Sequence, residues 1–401
     1  MTELISHEDI YYAYFDCRKN KRNSDDALSF ELNLEHNLYD LWEEINSGTY
    51  TPGNYSCFIV TRPTPREVFA AEFRDRIVHH LVISKINEHL EKRLLYDIYA
   101  CRIDKGTHFG INRLRHFMAA STANYTREAW CEKFDLKSFF ASIDRITLWT
   151  RLEVFLMENY NEPDKALVLS LVEKIVLKDP TENAVLKSPP EKWELLPKHK
   201  SLFNANDGRG LPIGNLTSQV FANFLLAPLD HFIRHDLGIK YYGRYVDDFY
   251  LIHEDREYLK TCRKHIEEFV ENTLQLRLNP KKVTLQRVCH GVKFLGVLVK
   301  PWRMTNVRRT EENFEKVIEK YNRIAEKRNL TKDEQNDFLS RVNSYLGIMS
   351  HYDTWRKRKA ILEKTKKRIM ADFVVVPDMS KLIRRDKTAT YVTDRIMHYS
   401  D

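Results

Sequence analysis

Residues 241–252 read Tyr-Tyr-Gly-Arg-Tyr-Val-Asp-Asp-Phe-Tyr-Leu-Ile, two aromatic and aliphatic runs flanking Tyr245-Val246-Asp247-Asp248. Such runs around a short polar pair predict a β-hairpin with Asp247 and Asp248 at its tip. Adjacent carboxylates repel each other, and a bound divalent cation is the usual reason for holding them together. Alone the tetrapeptide is weak evidence, because an Asp-Asp pair in a hairpin is commonly ordinary turn chemistry. A second anchor lies more than a hundred residues upstream in Phe134-Asp135-Leu136-Lys137, where residues 131–143 read as a strand breaking into a turn. Two-metal phosphoryl transfer needs carboxylates from separate elements, holding ions about 3.5–4 Å apart, and Asp135 with Asp247 would supply them. Viewed by itself, Asp135 also reads as a helix N-cap.

Outward from this pair the pattern is mixed. Residues 29–48 read as helical, with Phe30, Leu32, Leu38, Leu41 and Ile45 near a common face and Gly48 as the stop. Residues 55–60 and 66–73 predict a hairpin, followed by a long amphipathic helix over 74–95. Residues 145–177 read as helices broken at Asn161-Glu162-Pro163, and 179–210, with Pro180, Pro189, Pro190 and Pro197, as a long loop or linker. An amphipathic helix is expected over 213–237 and another over 255–273, with strand-like segments at 276–286 and 291–300. From about residue 310 the pattern is nearly all helical. There is no internal repeat or low-complexity tract.

Composition narrows the class. A chain of 401 residues with 43% hydrophobic residues can bury a substantial core in two or three subdomains. Its six cysteines are scattered singly, without metal-ligand or redox spacing, which predicts a reducing, intracellular setting. No apolar run approaches the roughly 20 residues of a membrane span. The net charge of +7 is uneven: residues 301–401 carry roughly +8 and residues 1–300 roughly −1. A basic C-terminal unit predicts a grip on a phosphate backbone, against the alternative of a solvated helix surface. His79 and His80 are not expected to bind metal, since neighbours on a helix point about 100° apart and nothing nearby completes a ligand set.

At this point the chain can be placed by likeness. FDLKSFFASI, GLPIGNLTSQVFANFLL, YVDDFYLI, LNPKKVTL and VKFLGVLVK follow the order and approximate spacing of the palm motifs of reverse transcriptases. REVFAAEFRDRIVHH and YACRIDKGTH resemble the fingers motifs of the bacterial branch. The resemblance implies an α+β right-hand polymerase fold: fingers and N-terminal helices over 1–115, an antiparallel-sheet palm over 116–300 with an insertion at 145–210, and a basic helical thumb and tail over 301–401. Where most members carry glutamine-glycine and then serine-proline, this chain reads Ile213-Gly214-Asn215-Leu216-Thr217-Ser218-Gln219. That segment looks like the reverse transcriptases of diversity-generating retroelements, which copy a template-repeat RNA with errors opposite adenine and return the cDNA to a variable gene. Ile213 offers no polar group near an incoming nucleotide, so fewer polar checks on the base are expected; without the family context core packing is an equal reading.

Carried over by position, the resemblance implies Asp135, Asp247 and Asp248 as catalytic carboxylates. Asp135, the Leu136 backbone carbonyl and Asp247 would hold two Mg²⁺, with Mn²⁺ able to substitute, while Asp248 tunes the site. Phe140 would be the gate against a ribose 2′-hydroxyl, or simply a buried aromatic beside Phe139. Arg62 and Arg66 would bind the incoming triphosphate, with Ile213, Gly214 and Gln219 alongside. Arg102 and Lys105 are candidates for template backbone, and Trp355-Arg356-Lys357-Arg358-Lys359 for template–primer contact. Lys281 or Lys282 is expected near the pyrophosphate.

The implied partners are dNTPs, an RNA–cDNA duplex, a template-repeat RNA with its priming site, and a small basic accessory protein forming a helical-bundle oligomer, in the cytoplasm of a bacterial or phage-infected cell. Alternatives are a retron-type or group II intron-like enzyme of ordinary fidelity, and a non-catalytic RNA-binding protein of the same fold. Three carboxylates expected to converge argue against the last.

Overall fold

Helix α1 (His7–Arg18) begins on a capping box: the Ser6 hydroxyl accepts from the Asp9 N–H and the Asp9 carboxylate accepts from the Ser6 N–H, both at 3.1 Å. The computed structural model describes residues 4–19, 24–61 and 64–385, in two units: Met1–Arg113 with Ala129–Gln286, and Leu114–Glu128 with Arg287–Asp401. Helices α2 (Asp25–Glu31) and α3 (Leu34–Asn46) occupy the expected N-terminal helical stretch. Leu38, Leu41 and Ile45 are buried, but Leu32 is 82% exposed. The single face predicted over 30–45 therefore fails, because the backbone leaves the helical region at Asn33 and starts a separate helix.

Strands β1 (Tyr55–Val60) and β2 (Arg66–Ala71) form the expected hairpin, with Tyr55 opposite Ala71 and Val60 opposite Arg66. Helix α4 (Phe73–Arg93) follows and buries Ile77, Leu81 and Ile86; α5 (Thr107–Ser121) runs from the first unit into the second. Strand β3 (Trp130–Phe134) leads to the short α6 (Phe139–Ser142), then α7 (Arg145–Asn159) and α8 (Lys165–Leu177).

The long loop expected over 179–210 is instead attached at several points. Its β4 (Val185–Leu186) lies parallel to β1 as a third strand, and one turn of helix, α9 (Pro190–Trp193), follows. The Lys187 N–H donates to the Cys57 carbonyl at 2.8 Å, and the Ile59 N–H donates to Ser188 Oγ at 2.9 Å. Buried Glu67 accepts from the Ser201 hydroxyl at 2.9 Å and from the Leu202 N–H, while Leu202 packs beside Tyr55, Cys57 and Phe69. Prolines signalled the irregular backbone correctly but gave no hint of these partners.

Helix α10 (Leu216–His231) precedes the central hairpin of β5 (Tyr241–Tyr245) and β6 (Asp248–His253). Helix α11 (Arg256–Asn272) is capped by Asp255, which accepts from the Glu257 and Tyr258 N–H groups, and buries Leu259, Cys262, Ile266 and Val270. With β7 (Thr284–Arg287), shorter than the strand expected over 276–286, the sheet order is β5-β6-β3-β7. Four consecutive buried residues of β6, Phe249 to Ile252, mark a strand covered on both faces.

The second unit holds the antiparallel meander β8 (Val292–Phe294), β9 (Val297–Lys300) and β10 (Arg303–Asn306). Helices α12 (Arg308–Lys327), α13 (Lys332–Ser350), α14 (Trp355–Glu363) and α15 (Lys367–Met370) follow. They close a core that includes Phe314, Tyr321, Phe338 and Leu346. The region is not all helical, because β11 (Phe373–Val375) and β12 (Leu382–Arg384) form a final hairpin that buries Phe373 and Leu382. Among the described residues no helix is long and apolar enough to cross a membrane.

Candidate active site

Strands β3 and β6 bring the two aspartate segments together. Phe134 pairs with Phe249 at the end of their ladder, and the two rings stack at 4.9 Å with an interplanar angle of 8°. Asp135 follows Phe134 and Asp248 precedes Phe249, so this stacked pair fixes the register from which the carboxylates emerge. Beyond the ladder the chain of Asp135 is held from the other side: the Asn279 N–H donates to the Asp135 carbonyl and the Lys137 N–H donates to the Arg277 carbonyl, each at 2.8 Å. These two bonds flank a bridge between Leu136 and Leu278, a pattern in which the Leu136 carbonyl is not used by the Leu278 segment.

The turn bearing Asp247 is built on a buried ion pair. Arg244 donates to Asp230 from Nε at 2.7 Å and from Nη2 at 2.6 Å, with both side chains fully enclosed. Its Nη1 donates to Asn223 Oδ1 at 3.0 Å and to the Val246 carbonyl at 2.9 Å. Val246 has φ +55°, an unfavourable conformation for a β-branched residue, and the Arg244 bond holds its carbonyl there. Gly243 is required behind it: a Cβ would lie 2.3 Å from the Tyr99 hydroxyl and 2.6 Å from that of Tyr250, two groups hydrogen-bonded to each other at 3.0 Å.

Electrostatics separate the three carboxylates. Burial, and then the negative charge of Asp135, push Asp247 up to about 6. Asp248 is also raised by burial, opposed by Lys133, whose Nζ lies 3.1 Å from Asp248 Oδ1. Asp135 accepts from Asn279 Nδ2 at 3.2 Å and from Lys282 Nζ at 2.6 Å. Asp248 is engaged with Lys133, yet its charge and that of Asp135 both act on Asp247; among the described residues no three His, Cys, Asp or Glu side chains form a group that could hold one ion. A divalent cation would suit the chemistry of the place, because the Asp135 charge acts against ionised Asp247 and a lysine ammonium already stands on Asp135. Those two carboxylates and the Leu136 carbonyl would be its donors.

The segment containing Ile213 is stitched to β2. The Phe69 N–H donates to the Ile213 carbonyl at 2.9 Å, and Asn215 Nδ2 donates to the Phe69 carbonyl at 3.1 Å. Gly214 has φ +123°, where a Cβ would meet Val68 Cγ1 at 2.8 Å and the Phe69 carbonyl oxygen at 3.0 Å. The Leu211 N–H donates to the Phe140 carbonyl at 2.9 Å, so Phe140, half-buried and edge-on to Phe139, lies two residues along the chain from Ile213 through that bond. Gln219 accepts from the Cys101 thiol. Arg66 is exposed at the start of β2, and Arg62 lies outside the described residues.

Several cations fall elsewhere than the sequence suggested. Arg102 turns inward, donating to Glu91 at 2.7 Å and to the Leu95 and Ile98 carbonyls at 2.7 and 3.1 Å, so it tethers its own turn rather than facing outward. Lys105 lies over the Tyr96 ring at 4.3 Å and is lowered to about 8, first by burial and then by Arg102. Of the lysine pair it is Lys282 that bonds Asp135, while Lys281 is exposed in the preceding turn. In the second unit Trp355 is exposed, with Lys359 over its ring at 5.3 Å. Lys357 pairs with Glu311, Arg356 is exposed, and Arg358 is buried, so the expected run of four surface cations loses one. Arg244, Asp230, Asn223, Lys133 and Asn279 were not anticipated; a lone arginine inside the apolar run 241–252 was the available signal for the first.

The family model described as reverse transcriptase (RNA-dependent DNA polymerase) matches residues 64–299. No curated protein matches the sequence. Similar solved structures include apo telomerase from Candida tropicalis truncated from its C-terminal domain, at 12% identity and TM-score 0.46, covering 63% of this chain and 55% of that one. Another is telomerase from Candida albicans in complex with a TWJ fragment of telomeric RNA, at 10% identity and TM-score 0.45, covering 77% and 55%. The chain spans little more than half the length of either.

Proposed function

The chain belongs to the reverse transcriptase (RNA-dependent DNA polymerase) family, and on that premise we propose that it copies a template-repeat RNA into cDNA mutagenised at adenines, for diversification of a variable target gene. Its fold class, the α+β right-hand polymerase class, is the one expected from the sequence. Reverse transcriptase domains use divalent metal ions. The observation that carries the finer reading is Ile213: an apolar residue at the turn joined to β2 by the Phe69–Ile213 bond and linked through Leu211 to Phe140. Near an incoming base it offers no side-chain hydrogen bond, and discrimination among bases loses that term.

In this reading residues 1–115 serve as fingers, 116–300 as palm and 301–401 as thumb and tail. Two Mg²⁺, with Mn²⁺ able to substitute, would be held by Asp135, Asp247 and the Leu136 carbonyl and would supply the Lewis acidity for nucleotidyl transfer. Lys282, now on Asp135, would be the residue to meet pyrophosphate were a cation to take its place, with Lys281 the alternative. Lys133 keeps Asp248 turned aside as a tuning charge. Phe140 excludes a ribose 2′-hydroxyl, Arg62 and Arg66 take the triphosphate, and Gly214 and Gln219 border the nucleotide. Trp355, Arg356, Lys357 and Lys105 contact the RNA–cDNA duplex, and Arg102 positions Lys105 from within. The proposed partners are the template-repeat RNA with its priming site and a small basic accessory protein of helical-bundle form, in the cytoplasm.

Primer extension with Mg²⁺ on an RNA containing all four bases, with every cDNA sequenced, tests this. The expected result is extension that Asp247→Asn abolishes, errors concentrated at template adenines, and fewer of them in Ile213→Gln. Faithful cDNA from the parent, or an unchanged error pattern in Ile213→Gln, overturns the mutagenic reading.

A further inference from the structure

A cleft of about 670 Å³ opens in the second unit, lined by residues from the joint after α12, the first turn of α13, the end of α15 and hairpin β11–β12. Ligand pockets run to about 300–1,000 Å³, so the space is nucleotide-sized. Three guanidinium groups line it, Arg368, Arg384 and Arg385, against a single carboxylate, Asp372.

The fold delivers these arginines. Arg368 donates to Asn329 and to the Ala325 carbonyl, the latter at 3.2 Å, which also satisfies an acceptor at the end of α12. Arg384 lies opposite Phe373 in the hairpin and donates to Asn336 Oδ1 at 2.6 Å. The Arg385 N–H donates to the Asp372 carbonyl at 2.9 Å, which extends the hairpin and keeps Arg385 beside Arg384. The carboxylate is already engaged, since Gln335 Nε2 donates to Asp372 Oδ2 at 3.1 Å. Leu330 and Ala371 add apolar wall. Guanidinium forks match phosphate oxygens, and the excess of positive charge selects an anion.

Residues 364–385 contain seven Lys or Arg and two Asp, with Lys364 and Lys366 paired to Glu315 and Glu326, and the cleft is open to solvent rather than closed over a small molecule. A polyanion fits better than a single nucleotide. We propose that this cleft is an RNA-binding site, gripping the phosphodiester backbone of the RNA that the enzyme copies, at a place separate from the residues assigned above to the template–primer duplex. The proposal rests on the RNA-copying reading only for the identity of that RNA.

The test uses the full chain and an Arg384→Gln/Arg385→Gln variant, leaving Arg368 in place because it also caps α12. Binding of a labelled 60-nucleotide structured RNA is measured by fluorescence anisotropy across a salt series, alongside extension of a short pre-annealed RNA–DNA template–primer. The expected result is about tenfold weaker binding of the long RNA and a salt slope shallower by about 1–2, with extension of the short substrate unchanged. Arg384→Lys/Arg385→Lys should keep most of the slope. An unchanged affinity and slope overturns the proposal. So does an equal loss on the short substrate, which would make the cleft part of the duplex grip, and so does full displacement of the RNA by about 1 mM pyrophosphate, which would make it a small-anion site. A parent that binds RNA through these arginines but extends no primer would instead count against the polymerase reading and leave the cleft standing.

Discussion

Arg244 and Asp230 meet through two parallel hydrogen bonds at 2.7 and 2.6 Å with neither side chain exposed, and the same guanidinium holds the Val246 carbonyl next to Asp247. Removing one partner strands a buried charge. Arg244→Met and Asp230→Asn are each expected to cost about 3–5 kcal/mol in urea unfolding. Arg244→Met with Asp230→Leu together should recover much of that loss but not the polymerase activity, because Val246 still loses its anchor. Full recovery of activity in the double variant would show that the pair serves stability alone.

The raised pKa of Asp247 predicts opposite pH trends for folding and for metal binding. In the metal-free chain Asp247 keeps its proton up to about 6, whereas an unfolded aspartate releases it near its ordinary value of 3.8. Between these values the folded state binds more protons, so this group's contribution to stability falls as pH rises. Metal needs the ionised form, so affinity should climb as pH rises through about 6. Scanning fluorimetry from pH 4.5 to 7.5, with and without Mn²⁺, checks both trends, and Asp247→Asn should flatten both.

Phe140→Ala is expected to admit ribonucleotides, raising rNTP incorporation relative to dNTP by about 10–100-fold while leaving dNTP turnover within a few fold. Competitive incorporation on one template measures the ratio. An unchanged ratio with a lowered melting temperature would assign Phe140 to packing beside Phe139.

Gly214→Ala puts a methyl group 2.8 Å from Val68 Cγ1 and 3.0 Å from the Phe69 carbonyl oxygen at φ +123°. The expected cost is about 2 kcal/mol of stability, together with a higher KM for dNTP, since the turn must pull away from β2. Thermal denaturation and steady-state kinetics on the same preparation separate the two effects.

The aspartate pairing was legible because strands announce themselves by aromatic and β-branched runs, and Asp135 and Asp247 each sit where such a run ends. The fingers-like hairpin and the long helices were legible for the same reason of periodicity. What stayed hidden depends on direction in space. Lys281 and Lys282 are indistinguishable in sequence, yet only the second reaches Asp135. Arg102 and Arg358 looked like surface cations because their charge is visible and their burial is not. Asp248, beside Asp247 in the chain, pairs with Lys133 from another strand, a partner that the sequence does not reveal.

The strand β4 makes a connector into a boundary. A sheet edge left bare is a template for foreign strands, and Val185–Leu186 close the β1 edge that the hairpin alone would leave open. Trimming residues 179–210 would therefore do more than shorten a path between helices. It would unseal one margin of the sheet and remove Ser201 and Leu202 from Glu67, turning a satisfied carboxylate into a liability and a closed margin into an invitation to self-association.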